Sequence, residues 1–139
     1  MEKTFKYQQE INDMLKEGAS MPELYMLDKM DSYRYVFRDD QSKSNLPAYI
    51  IKPKRKLKNP KLIGYSLSCF VTSQAAEDNY NNCLEHSPNF GKIAGDSLAE
   101  ILLDCNDGKI TAPSDNKHFS LFEYRGCDLN SKTHIIRHF

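Results

Sequence analysis

Between Leu62 and Ser73 the chain reads Leu-Ile-Gly-Tyr-Ser-Leu-Ser-Cys-Phe-Val-Thr-Ser, within the longest run in the sequence that no charge interrupts. Its aromatic and β-branched residues favour an extended strand, and the hydroxyls of Thr72 and Ser73 can cap a helix that starts where the strand stops. A strand with no charge on either face needs cover from both sides. The segment is therefore expected in the middle of a sheet, with its neighbours shielding it from water.

The rest of the chain supplies those neighbours. Residues 4–17 place Phe5, Ile11, Met14 and Leu15 at helical spacing, and Gly18 offers a left-handed stop. Ser20 and Glu23 form a capping box with Pro22 in the first turn, which predicts a second helix over 21–30 whose methionines fill the core. Residues 32–38 alternate with period two, setting Tyr33, Tyr35 and Phe37 against Arg34, Val36 and Arg38, as a strand does. A polar loop over 39–45, exposed and mobile, and a short strand over 48–51 follow.

Lys52-Pro-Lys-Arg-Lys-Leu-Lys-Asn-Pro-Lys61 then carries six cations in ten residues, and reads as an exposed extended arm. After the uncharged segment come a helix over 74–85, one helical turn around Phe90 and Ile93, and a strand over 97–104. Asn106-Asp107-Gly108 signals a turn that would fold Ile110 back onto that strand as a hairpin. Residues 118–125 alternate with aromatics on both faces and read as a central strand, and 133–139 close the chain as a short one. The pattern specifies an α+β fold: a single domain over 1–139 with a mixed, mainly antiparallel sheet of five to six strands, two N-terminal helices and one helix after the central strand.

At 139 residues such a domain buries roughly 65–70% of its unfolded surface and folds without staples. Four scattered cysteines, Cys69, Cys83, Cys105 and Cys127, suit reduced thiols better than a disulfide framework. No apolar run is long enough to span a bilayer and the first residues lack a signal-peptide core, so a cytoplasmic protein with no membrane role is expected. Residues 1–61 hold 13 Lys and Arg against 9 Asp and Glu, and residues 62–139 hold 6 against 10, a +4 half and a −4 half. That asymmetry can hold the halves together or orient a partner.

Three functional readings follow. A complete apolar pattern without an assembled cofactor motif, with surface aromatics and charge asymmetry, suits a small interaction module of microbial or phage kind that binds and regulates or neutralises a protein partner. It would bind through Tyr33, Tyr35, the basic arm or the acidic C-terminal half. In a second reading Lys52, Lys54, Arg55, Lys56 and Lys58 track a nucleic-acid backbone while tyrosines, Tyr49 among them, offer stacking surfaces.

The third reading combines Arg34 on an early strand, Ser66 and Ser68 on the central strand that runs into a helix, and Glu123 on a late strand, with Glu100 as a lesser choice. This order resembles the Arg, Ser-x-Ser, Glu arrangement of ADP-ribosyltransferase-like domains. The resemblance implies NAD as ligand, with Arg34 on a phosphate, the serines on a ribose and Glu123 stabilising the charge that develops as the glycosidic bond breaks. Outside that reading no cofactor is expected. His134-x-x-x-His138 with Cys83-x-x-His86 offers nitrogen and sulfur ligands at a spacing that fits no structural zinc class, so no metal is expected. His118-Phe-Ser120 has the H-x-S form that phosphoesterases use in pairs, but a single copy cannot carry that mechanism, and His118 reads as a strand residue near a sheet end.

Overall fold

A computed structural model describes residues 3–58 and 60–139; Met1, Glu2 and Asn59 of the arm lie outside the described residues. The fold is α+β, built on one seven-stranded sheet: β1 (Tyr25–Met26), β2 (Met30–Val36), β3 (Leu67–Phe70), β4 (Ser97–Leu103), β5 (Gly108–Ile110), β6 (His118–Glu123) and β7 (His134–His138). The spatial order is β1-β5-β6-β3-β2-β4-β7, and β3, cut from the uncharged segment, is the middle strand. Every ladder among the described residues is antiparallel, where a mixed sheet of five to six strands was expected.

Among the described residues six α-helices accompany the sheet: α1 (Gln8–Lys16), α2 (Gln41–Ser44), α3 (Ala48–Ile51), α4 (Arg55–Lys58), α5 (Ser73–His86) and α6 (Phe90–Ala94). The hand-over from β3 to α5 follows the expected logic. Thr72 stays extended, and its hydroxyl accepts from the Ala75 amide at 3.1 Å, satisfying one of the amides that a helix start leaves bare.

The two faces of the sheet have separate cores. On one, Leu67 and Cys69 of β3 pack with Phe119 and Leu121 of β6, Ile101 and Leu103 of β4, and Leu27 and Leu129 from the connections. On the other, two clusters lie at opposite ends: α1 and α3 cover Phe122 with Ile11, Met14, Tyr49 and Tyr65, while α5 covers Phe70 and Leu98 with Ala76.

This division explains why residues 21–30 are not a helix. Met21 and Leu24 feed the α1 side, whereas Leu27 and Met30 feed the opposite face, and one helical stripe cannot serve both. The segment instead runs extended, and Tyr25 and Met26 pair with Ile110 and Lys109.

Four further expectations are corrected. Residues 48–51 form α3 because Tyr49 must turn inward onto Tyr65, at 5.3 Å between ring centroids, and Pro47 accepts from the amides of Ile50 and Ile51. Leu62–Tyr65 coils into a 3-10 turn before β3 begins, with Gly64 pressed against the Tyr49 ring. The turn at Asp107 forms, its carboxylate accepting from the Asp104 amide at 2.8 Å, yet β5 pairs with β6 and β1 because β2 and β7 already occupy both edges of β4. The arm is not fully extended, since Arg55–Lys58 makes one exposed helical turn.

Candidate functional site

Strands β2 and β4 pair at seven positions, but β2 and β3 pair only at Tyr33 and Phe70. Beyond that point β3 keeps its ladder to β6 while β2 leaves, and the sheet splits. A split strand pair strands backbone carbonyls that need donors. Arg34 supplies one: its Nη1 donates to the Ser68 carbonyl at 2.6 Å, its Nη2 to the Ser44 carbonyl at 2.8 Å, and its Nε to Asn45 Oδ1 at 3.3 Å. The expected mobile loop over 39–45 is thus pinned, with Ser44 and Asn45 buried and Asn45 donating onward to Asn130 and Thr133.

A cavity of about 580 Å³ occupies the split, lined by both strands, by the chain from Ser44 to Arg55, and by α5 and α6. Its charge is one-sided. Arg34, Lys43, Lys52, Arg55 and Lys92 line it, and no aspartate or glutamate among the described residues does. Arg34 is only 6% exposed, and none of its hydrogen-bond partners is a carboxylate. Apolar walls come from Phe37, Phe70, Phe90, Ile63 and Ile93, and Lys43 sits 4.6 Å over the Phe37 ring.

Hydroxyls and one imidazole complete the lining. Ser66 is buried and donates to the Ile63 carbonyl at 2.6 Å, which closes the 3-10 turn and leaves only its lone pairs for a ligand. Ser68 is exposed to the cavity, and its Oγ lies 2.5 Å from His118 Nε2. Phe70 meets the His118 ring edge-on at 5.3 Å. Burial holds the His118 pKa below the usual 6.5, so near neutral pH the ring is uncharged and its Nε2 can accept the Ser68 proton.

The cavity thus gathers Arg34, Ser66 and Ser68 with Lys52 and Arg55 of the arm, but not Glu123. Strand parity is the reason for Glu123, and Arg34, which sits between Tyr33 and Tyr35 of β2 on the face opposite the cavity, reaches the lining only through the split. Ser68 and Ser120 are directly paired and face the cavity, and Glu123, an odd number of residues from Ser120, faces the other way. There it is 3% exposed, with Oε2 accepting from Lys6 Nζ at 2.8 Å and Oε1 without a hydrogen-bond partner. Glu100 does not line the cavity either and accepts from the Tyr33 hydroxyl at 2.9 Å.

Tyr35 also lines the cavity, but the hydroxyls of Tyr33, Tyr35 and Tyr49 are engaged within the fold. Tyr35 packs against Phe70, Tyr80, Phe90 and Phe139, donates to the Ala76 carbonyl at 2.6 Å, and has its pKa pushed up to about 12 by burial. Tyr49 is 8% exposed and accepts from the Lys61 amide. Lys54, Lys56 and Lys58 do not line the cavity, and Lys56 donates to the Tyr65 hydroxyl at 3.3 Å. No group of three or more metal-ligating side chains converges among the described residues, His138 being held on Ser97 and His86 on the Asn82 carbonyl. All four cysteines are free, and no helix among the described residues is long and apolar enough to cross a membrane.

Sequence reasoning set aside His118 and Ser120 and passed over Lys43 and Lys92. Only the H-x-S form marked His118 and Ser120. The two lysines carried no signal, because loops and helix turns far apart in sequence bring them to the split. No family model, no curated protein and no solved structure matches the chain, so function is argued from this cavity alone.

Proposed function

We propose that the split in the sheet binds a phosphate-bearing nucleotide, with NAD, the ligand implied by the Arg34, Ser66 and Ser68 resemblance, as its occupant. The observation that carries the reading is Arg34: a buried guanidinium, bonded only to neutral acceptors, at the split that lines a cavity whose other charges among the described residues are all positive. Burying a cation costs several kcal/mol unless a counter-charge or ample hydrogen bonding compensates. A pyrophosphate placed against Arg34, Lys52 and Arg55 supplies that counter-charge, and the ring of cations strengthens the attraction. Phe37 and Phe90 give a base or nicotinamide ring apolar faces to rest on. The cavity volume lies within the range of ordinary small-molecule sites, roughly 300–1,000 Å³.

A nucleotide reading also accounts for Lys52 and Arg55 without asking the rest of the arm to follow a polymer. The protein-partner reading draws on a different observation, Leu57, which is 82% exposed among the cations of α4. A regulator that senses NAD and presents Leu57 to a partner unites the two.

Calorimetric titration of the folded protein with NAD, ADP-ribose and AMP tests the reading. Saturable binding is expected, weakening as salt rises and falling about tenfold or more in Lys52→Glu and Arg55→Glu. No heat and no chemical-shift change at millimolar NAD, in protein whose circular dichroism is that of an α+β fold, would remove it.

A further inference from the structure

We propose that Ser68, with His118 as its proton acceptor, attacks phosphorus and cleaves the pyrophosphate bond of the nucleotide held in this cavity. The inference rests on the nucleotide reading and adds a reaction to it.

The pair has the geometry of a nucleophile and its base, and its surroundings point to phosphorus. Ser68 Oγ and His118 Nε2 are 2.5 Å apart, as when an imidazole removes a hydroxyl proton while the oxygen attacks. The ring meets Phe70 edge-on and is neutral near pH 7, as a base must be. Lys43, Lys52, Arg55 and Lys92 share the cavity lining with the pair, and Arg34 reaches through the split to the Ser68 carbonyl, so a guanidinium abuts the backbone of the nucleophile itself. Phosphoryl transfer asks little more of a site, since positioning and neutralisation of the oxygens around phosphorus supply most of its catalysis. The lining also offers one base and, among the described residues, no carboxylic acid to protonate a leaving group. A pyrophosphate suits that set, because the monophosphate it releases is stable as an anion. Neighbouring strands hold both residues: Ser68 pairs with Ser120, and Phe70 with His118. The pair is therefore built into the ladder and needs no loop to close.

The reaction balances with water as the one co-reactant. Ser68 Oγ forms a bond to one phosphorus, and the bond from that phosphorus to the bridging oxygen breaks. The bonding pair leaves with that oxygen on the departing monophosphate, which takes the Ser68 proton by way of His118 Nε2. Water then attacks the same phosphorus and gives a proton to His118. The bond from phosphorus to Oγ breaks with its pair on Oγ, and His118 returns the proton to Ser68. One water is consumed and two monophosphates are released. The cationic wall holds the phosphates throughout, so the phosphorus stays within reach of Ser68 in both steps.

Incubation of the protein with NAD, with products separated by chromatography and identified by phosphorus NMR, tests the reaction, and NAD binding is measured by calorimetry in parallel. The expected products are AMP and nicotinamide mononucleotide in equal amounts. Their formation should vanish in Ser68→Ala, prepared identically, and fall at least tenfold in His118→Gln. Acid quenching during turnover, followed by peptide mapping, should find a nucleotidyl group on Ser68. NAD binding without cleavage would overturn the proposal and leave the nucleotide reading intact. Cleavage that persists in Ser68→Ala, or release of free nicotinamide in place of the two monophosphates, would do the same. Absence of NAD binding would overturn both.

Discussion

Arg34 reaches across the split to donate to the Ser68 carbonyl at 2.6 Å, so a side chain stands in for the backbone bond that the diverging strands give up. The same guanidinium holds Ser44 and Asn45, which makes it both the floor of the cavity and the clasp of its wall. Arg34→Met removes three hydrogen bonds while relieving one buried charge. The lost bonds outweigh the relieved desolvation because two carbonyls are left without donors. A destabilisation of about 2–3 kcal/mol is expected by urea unfolding. Arg34→Lys, which keeps the charge but not the fork, should fall between the two proteins.

Glu123 gives a control on the location of the site. Its carboxylate pairs with Lys6 on the face away from the cavity, so Glu123→Gln should cost roughly 1–2 kcal/mol of stability. NAD affinity should stay within twofold of the parent. A loss beyond what unfolding explains would return Glu123 to the site and contradict the parity argument.

Much of the sheet is readable from the sequence because period-two alternation at Tyr33–Phe37 and Phe119–Glu123 reports faces directly. The central position of β3 follows from its lack of charge, and α5 from its Thr72 cap. The 21–30 segment misleads because its capping box is local, while its apolar residues are shared between cores on opposite sides of the sheet. Of the site, Arg34, Ser66 and Ser68 are legible as a motif. The partnership of Ser68 with His118 is not, because it depends on the β3–β6 register across fifty residues. Once that register is known, counting residues along β6 suffices to exclude Glu123.

His118 predicts a pH dependence of stability. In the unfolded chain it takes up a proton near 6.5, and in the folded protein burial holds it neutral to lower pH. Between those two values the unfolded state binds more protons, so stability falls as pH falls through the window and stops falling on this account below the folded pKa. Urea unfolding from pH 7.5 to 5 should show this slope in the parent and a shallower one in His118→Gln. Parallel curves for the two proteins would mean that His118 titrates freely in the fold.

The cap that launches α5 is a second test of the fold. Thr72→Ala removes the acceptor for the Ala75 amide and should lower stability by about 1 kcal/mol, with Thr72→Ser restoring most of it. Because α5 also carries Asn79 and Cys83 to the cavity, Thr72→Ala should weaken NAD binding only through the unfolded fraction.

Gly95 and Gly18 separate two costs of the same substitution. Both have positive φ, +140° at Gly95 and +99° at Gly18, where a side chain is strained. A Cβ on Gly18 meets nothing within 4 Å, so Gly18→Ala should cost only the backbone strain, about 1 kcal/mol. A Cβ on Gly95 would come within 2.7 Å of the Val36 carbonyl oxygen and 2.8 Å of its nitrogen, and neither can yield without moving β2. The Gly95 carbonyl also accepts from the Tyr80 hydroxyl at 3.0 Å, and Tyr80 stacks on Phe139 at 3.7 Å, so a shift here disturbs the packing of α5 and α6 together. Gly95→Ala should therefore cost roughly 3 kcal/mol or more and, since α6 brings Phe90 and Ile93 to the cavity, weaken NAD binding in the fraction that stays folded. Equal losses at the two glycines would show that β2 can move aside, and with it the rigid edge on which the cavity depends.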